Sequence, residues 1–194
     1  MEIQGNCDNK FKEVKDLFES LHSSGREVGS SFAVYKDGKA IVDIWGGYTD
    51  KQKTNLWSRD SLATVWSTTK GVAAITCALA VEKGLLDYEE KVSHYWPEFG
   101  CNGKEDITVG MLLSHQAGIC GSATNEVKDY YSQETMAEEL AAMKPIWEPG
   151  TASGYHSMTY GWLTSELIIR VTGKTLGTFY ADEIGSPNDI DFFI

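Results

Sequence analysis

Ser67-Thr-Thr-Lys-Gly-Val-Ala-Ala-Ile-Thr-Cys-Ala-Leu-Ala-Val-Glu-Lys-Gly84 is the stretch on which the reading of this chain turns. From Thr68 to Lys83 the residues are small and apolar with no proline, which predicts a helix, and Gly84 stands where helices commonly end. Ser67 opens it, and Lys70 lies one turn on, on the same face, because side chains three apart on a helix are neighbours. A serine hydroxyl is a poor nucleophile at neutral pH and needs a base beside it; an amine at this spacing reaches it. Burial under the apolar segment is expected to lower the lysine pKa and make a proton-accepting amine accessible. The helix N-terminus is expected to add positive potential and free N–H groups suited to an oxyanion. The tetrapeptide alone decides little. With this Ser and Lys content, roughly one S-x-x-K is expected by chance, and an N-capping serine followed by a surface lysine accounts for it equally well.

On the N-terminal side, Lys10 to Leu21 predicts a helix, with Phe11, Val14, Leu17, Phe18 and Leu21 at three- and four-residue spacing. Ser31–Lys36 and Lys39–Trp45 are strand-like, and Asp37-Gly38 between them is a strong hairpin signal. Thr49 to Asp60 is a polar loop. On the C-terminal side, Val109–Ser114 predicts a short helix, Gln133–Met143 another, Pro149-Gly150 a turn, and Thr159–Val171 an apolar helix closed by Gly173. No repeat, low-complexity tract or linker interrupts residues 1–194, so a single domain is expected. A single hairpin makes a marginal sheet, since three or more strands are normally needed, and the chain ends on the apolar Asp191-Phe-Phe-Ile194. Further C-terminal strands are therefore expected beyond this sequence.

A net charge of −11 argues against nucleic acid or an anionic membrane surface as partner, because no basic excess exists to meet phosphates. No apolar run approaches the ~18 residues of a membrane span. Cys7, Cys77, Cys101 and Cys120 show no metal-ligand spacing, and His22, His94, His115 and His156 show none either, so no metal or other cofactor is expected. Cys77 reads as a small buried residue. The first residues lack the basic and apolar regions of a signal peptide, which predicts a cytoplasmic protein with reduced thiols.

The neighbours of Ser67 supply what the tetrapeptide lacks. Trp57-Ser-Arg-Asp-Ser-Leu-Ala-Thr-Val-Trp-Ser-Thr-Thr-Lys-Gly71, followed by Gly84-Leu-Leu-Asp87, resembles the segment around the active serine of class C β-lactamases, D-alanyl-D-alanine carboxypeptidases and the serine esterases that share their fold. Tyr95-Trp-Pro-Glu-Phe99, Ile107-Thr-Val-Gly-Met-Leu-Leu-Ser-His-Gln-Ala-Gly118, Trp147-Glu-Pro-Gly-Thr151, Gly154-Tyr-His-Ser157 and Tyr160-Gly-Trp162 continue the resemblance in order, over about residues 30 to 194. It implies an α+β, β-lactamase/transpeptidase-like fold: an antiparallel sheet with a helical region, here the N-terminal portion without its C-terminal strands.

The same resemblance implies roles. Ser67 corresponds to the acylated nucleophile and Lys70 to its general-base partner. Tyr155 takes the tyrosine of the family's Tyr-x-Asn element, where a phenol whose pKa is lowered by lysine charge passes the serine proton to the leaving group; by its own surroundings it reads as a core or loop aromatic. Ser157 stands at the substrate-binding asparagine of that element, and a serine lacks the paired amide donor and acceptor. That departure leans the reading toward a small-molecule ester rather than an amide or lactam. The family's third motif, Lys-Thr-Gly or His-x-Gly on a late strand, lies beyond the equivalent of residue 194, so these 194 residues by themselves are expected to hydrolyse weakly or not at all. Gly173-Lys174-Thr175 is not that motif, since it ends a helix, and it is not a P-loop.

His115 is expected to organise its loop by hydrogen bonds rather than act in catalysis, and the tryptophans are expected in the core and cleft walls. No G-x-S-x-G elbow surrounds any serine. Two other readings stand beside the esterase: a non-catalytic binding or scaffold protein that keeps the fold, and a peptidase or β-lactamase acting on D-amino-acid or lactam substrates.

Overall fold

Asp37 and Gly38 both take positive φ, 50° and 72°, the geometry of the two-residue turn whose twist matches the strands it joins. They connect β2 (Gly29–Lys36) to β3 (Lys39–Gly47), which pair antiparallel with Lys36 opposite Lys39 and Ser31 opposite Trp45. The computed structural model describes residues 2–121 and 126–194. It corrects the two-stranded expectation: β1 (Gln4–Cys7) pairs with the other edge of β3, giving a three-stranded sheet in the order β1-β3-β2. Gln4-Gly-Asn-Cys7 contains no β-branched or aromatic residue, so propensity gives no warning of a strand. Its pairing comes from the open edge of β3, which lies distant in sequence.

The chain divides into two compact units, residues up to Thr64 and Val65–Ile194. In the first, Val42 and Ile44 of the central strand and Ile3 form the core, with Cys7, Phe11, Phe18 and Val34 packed on it. Helix α1 (Lys12–Ser23) follows a 3₁₀ turn at Asn9–Phe11, so it starts and ends two residues later than its apolar spacing predicts. Leu17, expected on the buried face, is 61% exposed, because the helix turns Val14, Phe18 and His22 inward.

In the second unit, α2 (Thr68–Glu82) buries Ala73, Thr76, Cys77 and Ala80, and α6 (Thr159–Thr172) buries Tyr160, Leu163, Leu167 and Ile168. The small side chains on α2 let the two helices pack closely. Around them lie α3 (Val92–Tyr95), α4 (Val109–Leu113), α5 (Gln133–Ala142) and α7 (Leu176–Tyr180). Trp96 and Phe99, with ring centroids 5.0 Å apart, fill the centre with Leu112, Ile119 and Leu140. Cys77 is fully buried as expected, and burial pushes its thiol up to about 12. Gly173 ends α6 in the left-handed conformation, so Gly173-Lys174-Thr175 does close a helix.

One buried residue has no counterpart in the sequence reading. Lys104 is fully buried, donating from Nζ to the Cys101 carbonyl at 2.9 Å and to the Met143 carbonyl, with the Phe99 ring 5.2 Å away. Desolvation pulls its amine below the ordinary lysine range. The tryptophans part company: Trp96 is core, whereas Trp66 is 83% exposed. Among the described residues, no helix is long and apolar enough to cross a membrane.

Candidate active site

The opening of α2 decides what Ser67 can do. Its backbone is already helical, at φ −69° and ψ −7°, and its side chain makes no capping hydrogen bond. The hydroxyl is therefore available, and Lys70 Nζ lies 3.2 Å from Ser67 Oγ. This disposes of the N-cap explanation for the pair. Lys70 is half-buried, not the enclosed amine that the apolar sequence around it suggested.

The first N–H groups of the helix are not free, contrary to expectation. Thr68, Thr69 and Lys70 donate to the carbonyls of Val65, Trp66 and Ser67 at 3.2, 3.0 and 3.1 Å. The first turn closes as a tight 3₁₀ turn because Ser67 is itself helical. Among the described residues the Ser67 N–H has no such backbone partner. Trp66, immediately before, sits at φ +48°, a conformation that bulky L residues avoid and that recurs at functional sites.

Tyr155 comes to the same place from the loop before α6. Lys70 Nζ stands 5.0 Å from the centre of its ring. Interaction with the Ser67 hydroxyl holds the Tyr155 phenol below its ordinary range; partial desolvation works against this, and the hydrogen bond and charge of Lys70 add to it. The loop is placed by Gly154, where a Cβ would fall 2.4 Å from Cη2 of Trp147, so only glycine lets the backbone run over that indole. Three side chains expected to act together are thus adjacent.

Ser157 lines a cavity of about 240 Å³ together with Trp66, Lys70, Tyr160, Trp162 and Leu176. A larger cavity of about 710 Å³ lies elsewhere in the unit, between Trp96, Cys101, Gln133, Glu138, Glu166 and Arg170. Size does not make it the site. Arg170 there is already paired with Glu166 and Glu98, at 2.8 and 3.0 Å, and the Cys101 thiol donates to the Ala141 carbonyl at 3.3 Å. Lys70, which approaches the Ser67 hydroxyl, lines the smaller cavity and not the larger one. Among the described residues, no group of three or more His, Cys, Asp or Glu side chains is placed to hold a metal ion.

The His115 ring bonds not within its own loop but to the His156 N–H, and His156 is fully buried. Nothing in the sequence beside Tyr155 distinguishes a core histidine from an exposed one, so this placement was not readable in advance.

The β-lactamase family profile matches residues 14–194. The chain belongs to the β-lactamase family. Its fold is the β-lactamase/transpeptidase-like one, with a small antiparallel sheet and helices. Within that family it is 40% identical over 189 residues to the esterase/beta-lactamase LipL of Mycobacterium tuberculosis, covering 97% of this chain and 44% of the relative. Among solved structures it is similar to a family VIII carboxylesterase, at 44% identity and TM-score 0.87, covering 96% of this chain and 52% of that one. It is also similar to a penicillin-binding protein homologue from Caulobacter crescentus, at 38% identity and TM-score 0.92, covering 100% and 53%. The chain thus spans about half the length of these β-lactamase-family relatives.

Proposed function

We propose that the full-length protein is a serine hydrolase that cleaves small-molecule esters through an acyl-enzyme on Ser67. The observation that carries this is the 3.2 Å approach of Lys70 Nζ to a serine hydroxyl with no capping duty, with the Tyr155 phenol beside both. The Ser67 Oγ–H bond breaks as its proton passes to the basic oxygen of Tyr155 or the amine of Lys70, and Oγ attacks the ester carbonyl. The Ser67 N–H donates to the developing oxyanion. The intermediate collapses, the alcohol leaves with the transferred proton, and water then repeats the sequence to release the acid and restore the serine.

An ester is favoured over a lactam by Ser157, whose single hydroxyl cannot offer the paired donor and acceptor of an amide side chain. It is favoured also by the likeness to a protein named as an esterase/beta-lactamase and to a carboxylesterase. A fluorophosphonate probe on the full-length protein should label Ser67, and Ser67→Ala should abolish the labelling. Hydrolysis of p-nitrophenyl butyrate should exceed that of nitrocefin in kcat/KM. Absence of labelling, or undiminished labelling of Ser67→Ala, would overturn the hydrolase and favour the non-catalytic binding protein. A preference for nitrocefin or for D-Ala-D-Ala peptides would overturn the ester.

A further inference from the structure

One residue holds the loop that carries Tyr155 on both sides of the tyrosine. His115 sits at φ +64°, just past α4, and makes two hydrogen bonds to the chain on either side of the tyrosine. Its carbonyl accepts from the Gly154 N–H at 3.0 Å, and its ring Nδ1 accepts from the His156 N–H at 3.2 Å. The ring itself stands edge-on to Tyr155, with centroids 5.2 Å apart, and packs on Tyr160 at 4.9 Å. We infer that His115 is a positioning residue for Tyr155, gripping both of its chain neighbours, and that its ring's hold on His156 lasts only while the imidazole is neutral.

The protonation state follows from the partners. A backbone N–H can only donate, so Nδ1 of His115 must carry a lone pair and any ring proton resides on Nε2. The same logic binds the second histidine. Nε2 of His156 accepts from the Ile119 N–H at 3.1 Å, so the proton is on Nδ1, which donates to the Gly154 carbonyl at 2.7 Å. Two imidazoles 5.3 Å apart therefore tie residues 115–119 to residues 154–156, each using one nitrogen as an acceptor. A proton added to Nδ1 of His115 would set N–H against N–H and release the C-terminal neighbour of Tyr155.

The groups facing the His115 ring are Lys70 from α2, the phenols of Tyr155 and Tyr160, and the His156 imidazole. With both phenols protonated, none of them attracts a proton to the ring. Burial, and then the Lys70 charge, hold His115 below the ordinary histidine range. The consequence is an acid-side loss of order at Tyr155 separate from any titration of the serine's own proton acceptors.

The inference rests on the reading of Tyr155 as part of the hydrolytic site, and the test separates the two. His115→Asn and His115→Gly both accept the left-handed backbone, so neither strains the turn. Asparagine can bring Oδ1 to the place of Nδ1 and gains no proton; glycine offers no acceptor. In amide exchange, the His156 N–H should exchange about tenfold faster in His115→Gly than in His115→Asn, the scale of one lost hydrogen bond. In fluorophosphonate labelling of the full-length protein, the ratio of His115→Asn to the parent should rise about fivefold or more from about pH 7.5 to about pH 5. Equal exchange of the His156 amide in the two variants overturns the clamp. A pH-independent labelling ratio overturns its dependence on the neutral ring. If Tyr155→Phe labels as fast as the parent, the hydrolase reading loses its tyrosine, while the clamp is still decided by the exchange rates.

Discussion

At Lys70 two duties coincide: its amine approaches the Ser67 hydroxyl at 3.2 Å, and its charge helps hold the Tyr155 phenol below its ordinary range. Lys70→Met keeps the length and removes both. Ser67 labelling near neutral pH is expected to fall about a hundredfold, within the range of a lost acid–base group. Because a positive charge favours the phenolate, its removal should move the Tyr155 titration upward, toward the free value of about 10. An ultraviolet tyrosinate titration against Tyr155→Phe reads this directly, and a downward or null shift would contradict the assignment. Ser157 gives the companion experiment. Ser157→Asn returns a paired donor and acceptor to the cavity wall, and the nitrocefin-to-ester ratio of kcat/KM should rise about tenfold, the worth of one good polar contact. Of these residues, Ser67 and Lys70 were legible in the sequence because a helix sets neighbours three apart by local geometry alone. Tyr155 was legible only through the ordered motifs around it, since by itself it is one aromatic in a loop.

At the scale of elements, turn and cap signals transferred well. Asp37-Gly38 makes the hairpin turn and Gly173 the helix end, both from intrinsic backbone preference. Elements that depend on a distant partner did not transfer. Strand β1 has no strand composition and exists because β3 offers an edge. Lys104, on which no local pattern bears, bridges its own turn to the end of α5 through the Met143 carbonyl. Lys104→Met would fill similar volume and leave that carbonyl without its donor. We expect a destabilisation of about 1–3 kcal/mol, the cost of an unsatisfied buried acceptor, seen as a lower denaturant midpoint at unchanged slope. An equal or higher midpoint would show that removing the desolvated charge outweighs the lost bond.

For the molecule as a whole, the relevant protons are those that buried histidines do not take up. His22 in the first unit and His115 and His156 in the second are all held below the ordinary range, with burial the first cause in each. The sign follows from linkage. The unfolded chain takes up protons at these sites as pH falls through about 6.5, before the folded chain does, so stability is lost on going acid from there and is regained above it. Each such site contributes at most about 1.4 kcal/mol per pH unit in that window. Urea midpoints at about pH 7.5 and pH 5.5 should therefore differ, the acid one lower, and His156→Asn should narrow the gap; a gap unchanged in that variant would mean that His156 is not a source of it. The amino-acid sequence by itself determined the hairpin, the helix that opens at Ser67, the Ser67–Lys70 spacing and the family, because these follow from backbone preference, side-chain period and the order of motifs. Only the tertiary structure decided that Tyr155 meets that pair, that His115 grips the loop beneath it, and that Lys104 and His156 lie in the core. Those contacts join segments far apart in the chain, and their energies come from packing and desolvation, which no local pattern of residues contains.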